Sequence, residues 1–142
     1  MRICVIDGHG GRLGSRLVAG LLSDLAASHL VIGLGTNPVA AWAMKAAGAG
    51  EIGAGKRAIL ATLPTVDIIL TSLSVVIPNT MGDEVTPPTV IQAILGSRAK
   101  KVLLPINRAQ VEVIGTEEYK LEHLIARSIH RVKSLMDAGS RA

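Results

Sequence analysis

The chain has 142 residues, of which 49% are hydrophobic and 18% charged, with a formal net charge of +4 at pH 7. This length suits a single domain over residues 1–142, and the composition is globular, which excludes an intrinsically disordered chain. No apolar stretch reaches the roughly 18 residues of a membrane span, and one Trp, one Tyr and no Phe leave no aromatic platforms for stacking nucleic-acid bases.

The first predicted strand, residues 2–6, contains the single cysteine, Cys4, which can form no internal disulfide and is expected to be a small buried hydrophobe. Because this run is strand-like and is followed by the acid Asp7, it is not typical of a signal peptide. We therefore expect a protein of the reducing cytoplasm, with no membrane partner and no nucleic-acid partner.

Apolar periodicity predicts that helices and strands alternate along the chain. In chain order, the elements predicted after the first strand are a helix at 12–27, a strand at 29–35, a helix from Pro38 up to Gly48, an edge strand at 50–53, a helix at 55–63 and a strand at 66–71. Asn37 is expected to cap the second of these helices, with Pro38 at its first position and Gly48 just beyond its end.

The second half begins with an irregular stretch of about 15 residues, a length that usually indicates function or mobility. The remaining predicted elements are a helix capped by Thr86 that begins at Pro87 and ends near Leu95, a strand at 100–105, an antiparallel or edge strand at 111–115, and a helix from Thr116 to about Met136. Strands that are apolar throughout and alternate with helices indicate a parallel sheet covered on both faces. The predicted fold class is therefore α/β, with a Rossmann-like, doubly wound, mostly parallel sheet of about 5–6 strands.

The stretch IDGHGGRLGSRL, residues 6–17, places four glycines between the first strand and the first helix. They fit G-x-x-G-x-x-G and G-x-G-x-x-x-G, which resemble variants found in nicotinamide-dependent reductases, and GGRLG resembles the first turn of dihydrodipicolinate-reductase-like folds. Unpaired amides and a partial positive charge at a helix N-terminus attract phosphate. The predicted nucleotide-binding residues of this loop are Gly8, His9, Gly10, Gly11, Arg12, Leu13 and Gly14. The alternative interpretation is a tight strand-to-helix turn without a ligand.

Two features depart from the usual NAD-binding pattern. The second strand ends in GLGTN, without the acid that holds the ribose 2′-hydroxyl. Thr36 and Asn37 could instead donate hydrogen bonds to a 2′-phosphate, so a bound dinucleotide should be NADP(H) at least as readily as NAD(H). Asp7 would repel a pyrophosphate unless a metal or a ligand hydroxyl intervened, and it could equally cap the amides of the loop.

Further polar residues follow the ends of later strands, where ligands bind in open α/β sheets. These candidates are Thr71, Ser72 and Ser74, then Asn79, Asp83 and Glu84, and finally Asn107 and Arg108. Each could instead be a solvated or capping loop residue, although Arg108 suits bidentate binding of an anion. His9 is the best-placed acid–base candidate, with Asp7 and Arg108 as possible catalytic companions. No metal-ligand spacing and no G-x-S-x-G motif is present.

Four blocks of sequence, VIDGHGGRLG, IGLGTNPVA, NTMGDEVTP and LLPINRAQVEVIG, resemble a small bacterial protein family of unknown function found chiefly in anaerobes. The resemblance extends from the first strand to the last helix and implies a stand-alone Rossmann-like domain without an established activity. It also implies that the glycine loop, Thr36–Asn37, residues 79–87 and Asn107–Arg108 belong to one pattern.

Three functions remain open on the sequence. The first is a binding or sensor domain for a phosphate-bearing nucleotide, either NAD(P) or an adenine nucleotide. The second is a small homodimeric oxidoreductase or other enzyme that uses the same crevice, since one domain leaves no room for the separate substrate domain of a complete dehydrogenase. The third is an accessory protein that binds a larger partner without a nucleotide. The first two lead us to expect a homo-oligomer.

Overall fold

A computed structural model describes residues 1–25, 29–82, 84–105 and 110–140. The strands within this part are β1 (Arg2–Asp7), β2 (Leu30–Gly35), β3 (Glu51–Ala54), β4 (Ile68–Ser72) and β5 (Lys100–Leu104). The helices are α1 (Arg12–Asp24), α2 (Pro38–Ala46), α3 (Gly55–Thr62), α4 (Leu73–Val76), α5 (Pro88–Leu95) and α6 (Leu121–Ser140), with a 3₁₀ turn at Leu63–Thr65. Among the described residues, no helix is long and apolar enough to cross a membrane.

The strands form one parallel sheet in the order β3-β2-β1-β4-β5. This confirms the predicted Rossmann-like, doubly wound α/β class. The chain leaves β1 in one direction across the sheet and returns to pair β4 on its other side, so the strand order reverses between β1 and β4. The register pairs Asp7 with Gly35 and Ile6 with Thr71, which brings the carboxyl ends of β1, β2 and β4 to one level. Ligands of such sheets bind beyond these ends.

Alternate residues of β1 pack into two separate cores, one on each face of the sheet. Ile3 and Val5 face the core that includes α1 and α6, whereas Cys4 and Ile6 face the core that includes α3 and α5. Cys4 is buried as expected, and burial raises the pKa of its thiol. A buried thiol of this kind is unreactive.

Helix α2 begins as its sequence predicts. The side chain of Asn37 accepts a hydrogen bond from the amide of Ala40, Pro38 occupies the first turn, and Gly48 follows the end with φ +113°. The helix lies directly on the end of β2, since a Cβ on Gly35 would collide with the backbone of Ala41. Thr36 and Asn37 are thereby held at the carboxyl edge of the sheet.

The prediction of a strand at 111–115, which would have been the sixth strand of the sheet, is wrong. Gln110 and Gly115 adopt left-handed conformations, with φ of +61° and +95°, and these interrupt an extended chain at both ends. The amide of Thr116 donates to the carbonyl of Val113 at 3.3 Å. The carbonyl of Val113, inside the predicted strand, is therefore used in a turn.

Several helix boundaries also differ from their predictions. The last helix begins at Leu121 instead of Thr116, because the turns just described continue to Tyr119. Helix α5 begins at Pro88, and the hydroxyl of Thr86 lies 3.6 Å from the sulfur of Met81 instead of capping the helix. Helix α1 ends at Asp24, and residues 26 and 27 of the predicted helix lie outside the described residues.

Candidate functional site

The glycine-rich loop forms a tight turn between β1 and α1. The amide of Gly11 donates to the carbonyl of Gly8 at 2.9 Å, and His9 and Gly11 are left-handed, with φ of +49° and +72°. Residues 7–13 line a small cavity of about 100 Å³. This volume suits one phosphate group and is well below the roughly 300 Å³ of a pocket for a whole small ligand.

The side chain of Asp7 caps two amides of the loop. Its carboxylate accepts hydrogen bonds from the amide of Gly8 at 2.8 Å and from the amide of Gly14 at 2.6 Å. Asp7 therefore caps amides of the loop, which is one of the two roles that the sequence allowed. Within the described part of the chain, the amides of Gly10, Arg12 and Leu13 have no hydrogen-bond acceptor.

Packing accounts for Gly11 and Gly14 but not for Gly10. A Cβ on Gly11 would lie 2.8 Å from the Cα of Ala40 in α2, and one on Gly14 would lie 2.8 Å from the sulfur of Met44. A Cβ on Gly10 would meet nothing within 4 Å. Of these three glycines, Gly10 is the one with open space at the position of the missing Cβ.

Glu84 lies at the end of β2, in contact with three groups that donate to it. Its carboxylate accepts hydrogen bonds from the hydroxyl of Thr36, from the amide of His9, and from Nδ2 of Asn37 at 3.0 Å. The side chain is 17% exposed, and the ring nitrogen Nδ1 of His9 lies 3.8 Å from Oε2. Burial, the largest effect on Glu84, raises the pKa of the carboxyl, but the hydrogen bonds and the nearby His9 together outweigh it and lower the pKa.

The chain that carries Glu84 crosses the carboxyl edge of the sheet. The hydroxyl of Thr80 donates to the carbonyl of Ser74, just after β4, at 2.8 Å. Met81 then packs against Gly8 so closely that a Cβ there would collide with the methionine methyl group. Glu84 follows and reaches Thr36. Residues 77–82 and 84–86, here called the crossing loop, therefore extend from the end of α4 past β1 to the end of β2.

The crossing loop corrects one premise of the sequence analysis, that no carboxylate stands at the Thr36–Asn37 corner. The acid is absent from β2 itself but is supplied by Glu84, 48 positions further along the chain than Thr36. Glu84 was among the sequence candidates, although no local pattern pairs it with this corner. Only the hypothesis that Thr36, Asn37 and the loop face one crevice anticipated their meeting.

The remaining candidates are engaged elsewhere or not described. The hydroxyl of Thr71 donates to the carbonyl of Ile6 at 2.7 Å, and Ser72 caps α4 through the amide of Ser74 at 3.1 Å. Asn79 is an exposed turn residue with φ +65°. A ligand role for these residues stays a prediction. The other three candidates, Asp83, Asn107 and Arg108, lie outside the described residues.

Two other cavities of the described chain are larger. One of about 450 Å³ lies between α3 and α5 and is lined mainly by aliphatic side chains such as Leu60, Leu63 and Ala93. Another, of about 440 Å³, lies between β5 and α6, where Arg127 covers the ring of Tyr119. Among the residues that the structure describes, no group of three or more His, Cys, Asp or Glu side chains is arranged to hold a metal ion.

Comparison with known protein families places most of the chain in one of them. A family model described as a domain of unknown function, DUF3842, covers residues 2–137. Searches of the curated proteins and of the solved structures found no similar protein. The match spans every strand and nearly all of α6, so it includes the glycine loop, the Thr36–Asn37 corner and the crossing loop.

Proposed function

The chain belongs to the DUF3842 family, a family of unknown function, and we propose that it binds the phosphate group of a nucleotide at the N-terminus of α1. One observation carries the proposal. The amides of Gly10, Arg12 and Leu13 have no acceptor within the described residues, and they belong to the residues that line the small cavity beyond β1. We call these three residues and their cavity the cradle.

The cradle offers what an anion requires. Free amides at the start of a helix carry partial positive charge, and the 13-residue helix α1 aligns its peptide dipoles toward this end. The exposed side chain of Arg12 adds a guanidinium group, which binds phosphate oxygens in pairs. Asp7 opposes this attraction, but its carboxylate is already held by two amides of the loop.

The position of the cradle favours a nucleotide over free phosphate. The cavity accommodates a single phosphate group, so the rest of the ligand would lie along the exposed rim formed by His9 and the end of β2. The cradle itself follows β1, beside the crevice between β1 and β4 where the strand order reverses and where open α/β sheets bind nucleotides. The absence of side-chain crowding at Gly10 leaves room for that approach.

Calorimetric titration of the purified protein with ADP, and separately with inorganic pyrophosphate, tests this function. Gly10→Val should fold normally but lose most of its affinity for both, because the branched side chain fills the open space of the cradle. Arg12→Ala should weaken binding about tenfold through loss of a charge-assisted hydrogen bond. The matched control is Arg16→Ala, one helical turn away and outside the cavity lining, which should bind as the wild type does.

Two results would contradict the proposal. One is a wild-type protein that binds neither probe. The other is a folded Gly10→Val variant that binds ADP and pyrophosphate with wild-type affinity.

A further inference from the structure

We infer that Glu84 is the ribose-binding acid of this site, so that the nucleotide it accepts has a free 2′-hydroxyl and not a 2′-phosphate. The inference rests on the nucleotide-binding function proposed above and specifies its ligand class. It also reverses the expectation from the sequence that NADP(H) would bind at least as readily as NAD(H).

Glu84 lies where nucleotide-binding folds of this topology place their ribose-binding acid. In nucleotide-binding folds of this topology, an acid at the end of the second strand binds the ribose hydroxyls. Here Thr36 directly follows β2, and its hydroxyl donates to the Glu84 carboxylate. The crossing loop thus brings an acid to the position that β2 leaves without one.

The hydrogen-bond donors of the Thr36–Asn37 corner are already bonded to acceptors of the protein. Asn37 directs its Nδ2 group to the carbonyl of His9 at 2.9 Å and to Oε1 of Glu84 at 3.0 Å, which uses both amide hydrogens. The single hydroxyl hydrogen of Thr36 also goes to Glu84. Neither side chain has a hydrogen left for a 2′-phosphate, and such a phosphate would face the Glu84 carboxylate.

The Glu84 carboxylate can accept a further hydrogen bond. A carboxylate has about four acceptor positions, and three are filled, two on Oε1 and one on Oε2. The remaining position on Oε2 suits the hydroxyl of a ribose. Because the amide of His9 binds this same oxygen and Gly10 of the cradle is the next residue, acid and cradle are neighbours, as ribose and phosphate are in a nucleotide.

The test compares ligands that differ only at the 2′ position. Calorimetry on the wild-type protein with ADP, 2′-deoxy-ADP and 2′-phospho-ADP should give the tightest binding for ADP. We expect about a tenfold loss for 2′-phospho-ADP, from charge repulsion and the absence of donors, and a smaller loss for 2′-deoxy-ADP. This ranking needs no variant, so it does not depend on the folding of a mutant.

Glu84→Gln identifies the residue responsible. Removing the charge should narrow the preference for ADP over 2′-phospho-ADP about tenfold, whereas Glu118→Gln, at an exposed acid outside the corner, should leave the preference unchanged. A wild-type protein that prefers 2′-phospho-ADP would overturn the inference. So would a Glu84→Gln variant with an unchanged ratio, or one that gains affinity for ADP and pyrophosphate alike, since Glu84 would then merely occupy an anion site.

The parallel titration with pyrophosphate separates the two claims. Pyrophosphate binding without discrimination at the 2′ position overturns the role of Glu84 and leaves the proposed function standing. Loss of all binding, pyrophosphate included, overturns the proposed function and the inference with it.

Discussion

Adjacent glycines in the loop before α1 have different physical reasons for being glycine. Gly11 is left-handed, and its missing Cβ makes room for the backbone of α2 at Ala40. Gly10 meets no such neighbour. In phosphate-binding loops of this kind, one glycine serves the turn, another the approach of the ligand, and a third the packing of the helix. By this criterion, Gly10 is the residue beside which a ligand would approach, and Gly11 serves the turn and the packing of α2.

We predict that Gly11→Ala destabilises the protein whereas Gly10→Ala does not. A left-handed alanine costs about 1–2 kcal/mol, and the contact with Ala40 adds to this cost. Gly10 has no left-handed φ and no neighbour to obstruct a methyl group, so its free energy of unfolding should change by less than about 0.5 kcal/mol. Urea unfolding followed by circular dichroism measures both, and equal losses in the two variants would contradict the assignment.

At the scale of elements, Asn37 links the start of α2 to the crossing loop. Its Oδ1 caps α2 by accepting from the amide of Ala40, while its Nδ2 donates to Glu84. The same side chain therefore stabilises one helix and holds the loop that follows another, α4. Because the lowered pKa of Glu84 keeps its carboxylate charged, the donor half of Asn37 faces an anion at neutral pH.

We predict that Asn37→Asp is less stable than Asn37→Ser at pH 7, although Asp and Ser are comparable helix caps. Both retain an oxygen for the amide of Ala40, but Asp places a second carboxylate against Glu84. The difference should shrink as the pH falls through the acid range and the two carboxyl groups take up protons, Glu84 at a lower pH than an ordinary glutamate because its pKa is lowered. Melting temperatures measured from pH 7 to pH 3 test this. Equal melting temperatures of the two variants at neutral pH would show that Glu84 does not face residue 37.

At the scale of the whole molecule, α6 completes the core on the α1 face of the sheet. Ile129 is buried there, and its terminal carbon occupies the space that a Cβ on Gly20 of α1 would need. Val132 and Met136 continue the same buried stripe. The last helix therefore belongs to the cooperative core, despite the irregular segment that precedes it.

We predict that Ile129→Ala lowers the free energy of unfolding by about 2–5 kcal/mol, the usual cost of such a truncation in a core. Ile114, which is 84% exposed in that irregular segment, provides a control with the same chemical change. Ile114→Ala should cost less than about 0.5 kcal/mol. Chemical denaturation measures both values, and similar small losses would mean that α6 is not part of the folding unit.

The sequence by itself determined the features whose causes are local. Apolar runs and periodicities specify β1, α1, β2 and α2, because a side chain is buried or exposed according to its place in a repeat of two or of 3.6 residues. Asn37 and Pro38 predict the start of α2, because a capping side chain bonds to an amide only a few residues further along the chain. The parallel direction of the strands also follows from the sequence, since alternating strands and helices leave few alternative topologies.

Only the tertiary structure decided which distant groups meet. Glu84 binds Thr36, Asn37 and the amide of His9, partners 47 to 75 positions away, and no local pattern encodes that path. The irregular segment at 111–115 looked extended by composition, but strand formation requires a hydrogen-bonding neighbour as well as apolar residues. The difference between Gly10 and Gly11 likewise depends on where α2 packs. In each case the deciding energy comes from contacts between groups far apart in the chain, and these exist only once the chain has folded.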